Sequence, residues 1–117
     1  MCEPKMYLIL REDLAYKYIQ GGHALAAFAL EHASKFRSWN NSYLINLSVF
    51  NGIALNEVYQ DLITTYATIF PEEYAAIGFS IFVEPDLESS LPTAICIYED
   101  GNGCVANKLK GLQLATK

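Results

Sequence analysis

One segment decides the fold: residues Tyr7–Ala33, with the sequence YLILREDLAYKYIQGGHALAAFALEHA. It begins within the apolar run Met6–Leu10, which predicts a β-strand covered on both faces, because such a strand shows no polar alternation. The charged triplet Arg11-Glu12-Asp13 ends that strand. A helical pattern then starts near Tyr16–Ile19. A buried strand followed by a helix is typical of the first half of a crossover unit.

The predicted helix carries polar side chains at its start. The pattern continues to about Lys35, with broad apolar rows that suit a helix lying on a sheet. Lys17, Gln20 and His23 lie three residues apart and therefore line one side of the first turns. The pair Gly21-Gly22 costs about 1 kcal/mol per glycine relative to alanine, which indicates that the sheet or a ligand approaches the backbone closely.

Composition limits the class of protein. The 117 residues allow one domain with one core, and the net charge of −5 lacks the basic excess of a broad nucleic-acid surface. Local contact with a few phosphates remains open. No apolar run reaches the roughly 20 residues of a membrane span, and the N-terminus shows no export signal. The three cysteines are expected to be reduced thiols in a cytoplasmic protein.

The remaining pattern predicts a single α/β domain, residues 1–117, with a small mixed sheet of four or five strands. The link between the third and fourth strands is too short for a helical crossover, so these strands are expected to be antiparallel if they are neighbours. The expected elements are a turn-rich connector at Phe36–Ser42, a strand at Tyr43–Phe50, a helix at about Ala54–Thr68, strands at Ile77–Val83 and Thr93–Tyr98, a short helix at Val105–Lys110 and an edge strand at Leu112–Ala115.

The topology predicts one polar site. Ligands of open α/β sheets bind beyond the carboxyl ends of the strands, and the first strand leads to the polar helix start at that edge. The third strand, if parallel to the first, delivers Glu84 and Asp86 to the same edge, and an antiparallel fourth strand begins there with Thr93. A helix N-terminus adds a partial positive charge suited to a phosphate or an oxyanion.

Each of these side chains also has a purely structural interpretation. A lone histidine on an inner helix face is often a core histidine with its hydrogen bonds satisfied. Asp86 is a common turn residue, and Thr93 suits the start of a strand by propensity. Gln20 could cap carbonyl groups of the sheet, and Lys17 is also explained as a solvated side chain. Two carboxylates without further ligands are weak evidence for a metal, so none is expected.

Four motifs follow one another along the chain: YLILREDL, the Gln-x-x-His-Ala of IQGGHALAAFA, VEPDL…LPTAICI and KLKGLQLA. Together they resemble the peptidyl-tRNA hydrolases of the archaeal and eukaryotic type, most closely a compact bacterial branch, over nearly the whole chain. The resemblance implies a three-layer α/β/α fold around a small mixed sheet. It also implies hydrolysis of the ester that joins a peptide to the 3′ end of tRNA, without a metal or an organic cofactor.

The resemblance also implies roles for individual residues. Gln20 and His23 occupy the helix motif, Asp86 the acidic loop position, and Thr93 the threonine that opens the next strand. Asp86, with Thr93, would orient or deprotonate the attacking water. Lys17, which the topology and not the resemblance places at the site, or the helix N-terminus would stabilise the oxyanion, an effect typically worth a few kcal/mol. Gln20 and His23 would hold these groups in place or contact the terminal adenosine.

The predicted substrate contacts are those of Gln20, Arg11, Gly21 and Gly22 with the acceptor end of peptidyl-tRNA. Further local positive charges are expected from residues elsewhere in the chain, namely Lys17, Lys35, Arg37, Lys108 and Lys110. The family's Gly-Lys-Gly-Lys loop is replaced here by a shorter segment, residues 15–18.

An alternative of a different class is a catalytically silent module that binds a nucleotide, an acceptor end or a protein. The sequence does not determine the oligomeric state, although the apolar region of the second strand could support a homodimer.

Overall fold

The first strand, β1 (Lys5–Arg11), lies in the middle of the sheet. The computed structural model describes residues 4–39, 42–68, 77–83, 91–99, 109 and 111–115. The other elements within them are α1 (Lys17–Glu31), α2 (Ala33–Trp39), β2 (Tyr43–Val49), α3 (Gly52–Thr68), β3 (Ile77–Phe82), β4 (Ala94–Glu99) and β5 (Gln113–Leu114).

Helices cover the sheet on both faces. Alternate residues of β1 point in opposite directions, as in any strand. Met6, Leu8 and Leu10 pack with Ala24 and Phe28 of α1, together with residues of α2 and β4. The intervening residues of β1 belong to a second core on the other face, which includes side chains from α3. The predicted three-layer α/β/α fold is therefore confirmed, and so is the reading of β1 as a strand buried on both faces.

The sheet is mixed, with five strands in the order β3-β4-β1-β2-β5. β1 pairs with β2 in parallel and with β4 in antiparallel orientation, and β3 is antiparallel to β4. Consequently β3 runs parallel to β1, as expected. The ends of β1, β2 and β3 and the beginning of β4 therefore meet at one edge, which we call the carboxyl edge, at Arg11, Val49, Phe82 and Thr93.

The first helix is shorter than its sequence predicts. It ends at Glu31 instead of continuing to about Lys35, and α2 begins at Ala33 after a non-helical residue, His32 (φ −132°, ψ 55°). The His32 ring packs on Phe28, and its Nε2 lies 3.2 Å from the carbonyl oxygen of Phe79 in β3. The contact with Phe79 thus ties the His32 side chain to the sheet at the break between α1 and α2. The predicted connector at Phe36–Ser42 is also wrong in part, because its first residues belong to α2.

The other predicted elements agree closely with the structure. Their boundaries differ by one or two residues, and α3 starts earlier because the Asn51 side chain accepts a hydrogen bond from the Ala54 backbone N–H and caps the helix (3.0 Å). Of the predicted helix at Val105–Lys110, only Leu109 lies among the described residues. Within the described part of the chain, no helix is long and apolar enough to cross a bilayer.

The sole tryptophan anchors the second helix at the edge opposite the carboxyl edge. Trp39 is buried beside Phe36, and its indole N–H donates a hydrogen bond to the carbonyl oxygen of Tyr43 (2.8 Å). Tyr43 begins β2 and pairs with Lys5 at the start of β1. The indole therefore joins α2 to the amino ends of the two parallel strands.

The two adjacent glycines of α1 should respond oppositely to alanine. A Cβ at Gly21 would lie 2.7 Å from Leu10 Cδ2 in the buried core, whereas a Cβ at Gly22 would meet no atom within 4 Å. We expect Gly22→Ala to raise the free energy of unfolding by about 1 kcal/mol through helix propensity. Gly21→Ala should lower it, because overpacking costs about 1–3 kcal/mol. Urea denaturation measures both, and equal gains would contradict the packing of Gly21 on β1.

The stability of the protein should fall at high pH in part through Tyr7. Burial, and secondarily the nearby Glu99 carboxylate, raise the pKa of Tyr7 above the usual 10.0. Above pH 10.0 the unfolded tyrosine loses its proton while the folded one keeps it, so this contribution declines as the pH rises. The slope is at most about 1.4 kcal/mol per pH unit. Denaturation between pH 8 and pH 11 should therefore show a shallower decline for Tyr7→Phe; equal slopes would contradict this expectation.

Candidate functional site

A hydrogen bond joins the first helix to the start of β4 at the carboxyl edge. Thr93 Oγ1 lies 3.0 Å from Gln20 Oε1 and 2.9 Å from the carbonyl oxygen of Phe82. Thr93 is fully buried, and its backbone N–H also donates to the carbonyl oxygen of Phe82 (2.8 Å). Its hydroxyl carries a single proton, which only one of the two oxygens can accept at a time. Thr93 therefore connects β3, β4 and α1 at one point.

Lys17 forms an ion pair with a residue of the preceding loop. Its Nζ lies 3.2 Å and 3.4 Å from the two carboxylate oxygens of Glu12, and its side chain is only 12% exposed. The ammonium also lies 5.4 Å from the centre of the Tyr18 ring, within the range of a cation–π contact. Lys17 is thus held against the loop and is not the freely solvated side chain that the sequence allowed.

Arg11 is built into the scaffold of the edge. Its guanidinium donates two hydrogen bonds to the Asp13 carboxylate, at 3.0 Å and 2.8 Å, and a longer one to the carbonyl oxygen of Pro92 (3.4 Å). A Cβ at Gly52, the first residue of α3, would lie 2.8 Å from Arg11 Cζ. The side chain is 10% exposed. A phosphate could reach it only by competing with Asp13, so the predicted substrate contact of Arg11 stays a prediction.

His23 lies on the surface beside the end of β3. It is exposed, and its ring packs edge-to-face on Phe82 with 4.6 Å between the ring centres. His23 is therefore not a core histidine. A cavity of about 320 Å³ opens next to this pair, lined by His23, Ala26, Ala27, Leu30 and Phe82.

The two glycines between Gln20 and His23 face different surroundings. Gly21 is buried, and the nearest atoms to a Cβ placed on it belong to Leu10 and Leu8 of β1. The close approach inferred from the sequence is thus made by the sheet at Gly21. Gly22 is exposed and has open space around it, so a ligand contact remains a prediction there.

Two aromatic side chains flank Lys17 at the start of α1. Tyr16 is 70% exposed and Tyr18 is 46% exposed, and both line a hollow of about 280 Å³ together with neighbouring residues. Tyr16, the N-cap residue, makes no side-chain cap hydrogen bond. These tyrosines did not figure in the site predicted from the sequence, although the alternation Tyr-Lys-Tyr could have drawn attention to them.

Four of the predicted site residues lie at the same edge of the sheet, and others lie outside the described residues. Lys17, Gln20, His23 and Thr93 all lie at the carboxyl edge. Asp86 and Glu84 lie outside the described residues, as do Lys108 and Lys110. The predicted positive charges do not form one patch, because α2 carries Lys35 and Arg37 at the opposite edge, where Lys35 contacts Gly78 near the start of β3.

The described residues offer polar chemistry rather than a metal centre. No group of three or more histidine, cysteine, aspartate or glutamate side chains comes together within the part of the chain that the structure describes. Cys96 is buried, and burial raises the pKa of its thiol well above the ordinary range, which keeps it protonated and unreactive. What the edge offers instead is a hydroxyl, an amide, an imidazole and an ammonium, a set suited to holding an ester and the charge that develops on it.

The bond between Gln20 and Thr93 should couple α1 to the sheet. Thr93→Val removes the hydroxyl from a buried site and should lower the free energy of unfolding by about 1–3 kcal/mol. Combined with Gln20→Met, the two losses should be non-additive by about 0.5 kcal/mol or more, because both variants remove the same interaction. Urea denaturation of the four proteins measures this coupling. Thr93→Val combined with Glu57→Gln, on the exposed face of α3, is the additive control, and additivity in both pairs would contradict the coupling.

Comparison with known proteins adds no relative to this picture. No protein-family model matches the chain, and no curated protein matches it. Function is therefore argued from the four sequence motifs and from the contacts at the carboxyl edge.

Proposed function

We propose that the protein hydrolyses the ester bond between a peptide, or an N-blocked aminoacyl group, and the 3′ end of tRNA, and that it recycles tRNA in the cytoplasm. The observation that carries this proposal is the contact of Gln20 with Thr93. These residues are 73 positions apart, and each belongs to a different motif of the resemblance to peptidyl-tRNA hydrolases. The fold places both at the edge where α/β sheets bind ligands.

Ester hydrolysis requires a water molecule to be oriented and a proton to be removed from it. In this proposal Asp86 acts on the water, as the resemblance implies. Asp86 lies in the chain between the end of β3 at Phe82 and the start of β4 at Ala94, and both of these strand ends lie at the carboxyl edge. Thr93 is fully buried and hydrogen-bonded there, which suits it to position a neighbouring group rather than to move.

The tetrahedral intermediate of ester hydrolysis carries a negative charge that must be stabilised. Lys17 is the described cation nearest to the Gln20–Thr93 contact along α1, one helical turn away. Its ion pair with Glu12 holds the ammonium against the loop before α1. In this proposal one of the three N–H donors of the ammonium turns to the oxyanion when the substrate binds.

The surroundings of α1 also suit the terminal nucleotides of tRNA. Exposed aromatic rings stack on unpaired bases, and such stacking contributes about 1–3 kcal/mol per base. Tyr16 and Tyr18 present such rings at the start of the helix. The overall charge of −5 and the separation of Lys35 and Arg37 from this edge favour contact with the acceptor end alone.

A second candidate is a catalytically silent binding module on the same fold. The ion pairs of Lys17 with Glu12 and of Arg11 with Asp13 favour it, because both cations of the edge already have carboxylate partners. Such a module would still recognise a nucleotide, an acceptor end or a protein. It differs from the hydrolase in one observable respect, which is that it releases no peptide.

Release of the acyl group from N-acetylaminoacyl-tRNA by the purified protein tests the proposal. We expect turnover by the wild-type protein and a loss of about a hundredfold or more for Asp86→Ala, the usual effect of removing a general base. Glu57→Ala, which removes an exposed carboxylate on α3, is the matched control and should keep full activity. A loss of less than about tenfold in Asp86→Ala would remove the role of Asp86. Absence of turnover in the wild-type protein would favour the binding module.

A further inference from the structure

The cavity beside His23 is an apolar groove that continues from the candidate site. Its lining residues His23, Ala26, Ala27 and Leu30 recur at helical spacing along one side of α1, and Phe82 forms the facing wall. We call these five residues the acyl groove. Its volume of about 320 Å³ is at the lower end of the range for small-molecule sites, which is large enough for one side chain but not for a folded partner.

The groove lies on a definite side of the proposed reaction centre. Along α1, the residues of the site follow the order Lys17, Gln20, His23, one turn apart. If the ester carbonyl sits at the Gln20–Thr93 contact, its two substituents extend in opposite directions along the helix. The nucleotide belongs toward Lys17 and the tyrosines, where a cation and stacking surfaces are found. The acyl group then extends past His23 toward Leu30.

The chemistry of the lining fits an apolar substituent. Two of the five described lining residues are alanines, and none of the five is an aspartate, glutamate, lysine or arginine. Leu30 is 86% exposed, so a large apolar side chain stands at the rim where a ligand could cover it. Removal of such surface from water is favourable by about 25 cal/mol per Å².

We propose that the acyl groove binds the apolar side chain of the amino acid whose carbonyl carbon forms the ester. This inference rests on the proposed hydrolase function and adds to it a preference among substrates, with Ala26, Ala27 and Phe82 as specificity-determining residues. The competing occupant is the terminal adenine. A base is read through hydrogen bonds to its edges as well as by stacking, and among the described lining residues only the His23 ring offers a side-chain group for such bonds.

The first experiment compares two substrates, N-acetylphenylalanyl-tRNA and N-acetylglycyl-tRNA. We expect the wild-type protein to show a kcat/KM about tenfold or more higher for the phenylalanyl substrate, because an apolar pocket discriminates by about 10–200-fold. Ala26→Phe, at an exposed position of α1, fills the groove and should reduce this ratio to below about threefold while the glycyl substrate is still hydrolysed. Ala33→Phe introduces the same side chain at an exposed position of α2 outside the groove and should leave the ratio unchanged.

Hydrolysis of both substrates with equal kcat/KM, or a ratio unaffected by Ala26→Phe, would overturn the acyl groove and leave the hydrolase proposal intact.

A second measurement does not depend on catalysis. Titration with N-acetylphenylalaninamide should shift the methyl NMR signals of Ala26, Ala27 and Leu30 in the wild-type protein. In Ala26→Phe the signals of Ala27 and Leu30 should not shift, and N-acetylglycinamide should shift none of them in the wild-type protein.

These shifts in a protein that hydrolyses neither substrate would support the groove and overturn the hydrolase proposal alone. Absence of the shifts would overturn the groove, as would shifts of the same signals produced by adenosine monophosphate instead.

Discussion

Burial of β1 on both faces is the constraint on which the rest of the structure depends. Backbone N–H and C=O groups that are removed from water must find partners, so a strand of this kind needs a neighbour on each side. Here one neighbour, β2, is parallel and the other, β4, is antiparallel. This combination is what places the end of β1 beside the beginning of β4, and with it the polar start of α1 beside Thr93. The candidate site is a consequence of how the central strand is paired.

Ion pairing gives the same edge its electrostatic character. Arg11 is the last residue of β1 and Lys17 the first residue of α1. Each pairs with an acidic residue of the loop between these elements, Asp13 and Glu12 respectively. A largely buried cation needs such a partner, because charge is costly to remove from water. The edge is therefore held together by charges that largely cancel, which agrees with the acidic balance of the chain and limits any nucleic acid to a small area of contact.

The sequence predicted those features that depend on neighbours in the chain. The unbroken apolar run of β1, the spacing of α3 and the short link between β3 and β4 each contain enough local information. The end of α1 at Glu31 was not predicted, and it coincides with a contact that the sequence does not reveal, that of His32 with the Phe79 carbonyl, 47 positions away. Likewise, the two adjacent glycines of α1 look equivalent in the sequence, and only the packing of Leu10 distinguishes the buried one.

The same distinction between local and long-range information applies to the candidate site. Gln20, His23 and Thr93 could be proposed from motifs and topology, but the partner of each could not. Phe82 meets His23 only because β3 ends next to the second turn of α1, and the strand order that causes this follows from long-range pairing. The ion pair of Glu12 with Lys17 could have been predicted, because the two residues are only five positions apart. The triplet Arg11-Glu12-Asp13 was instead interpreted only as the end of a strand.

The position of Trp39 gives the protein a built-in optical probe of one kind of event. The indole is 5% exposed and fixed by its hydrogen bond to Tyr43, at the far end of the sheet from the candidate site. The indole contacts the amino ends of the two parallel strands, so unfolding of the sheet should change its fluorescence emission. A ligand at the carboxyl edge would not touch this fluorophore, because the indole lies at the opposite end of the sheet. Intrinsic emission thus separates loss of structure from engagement of a ligand within one sample.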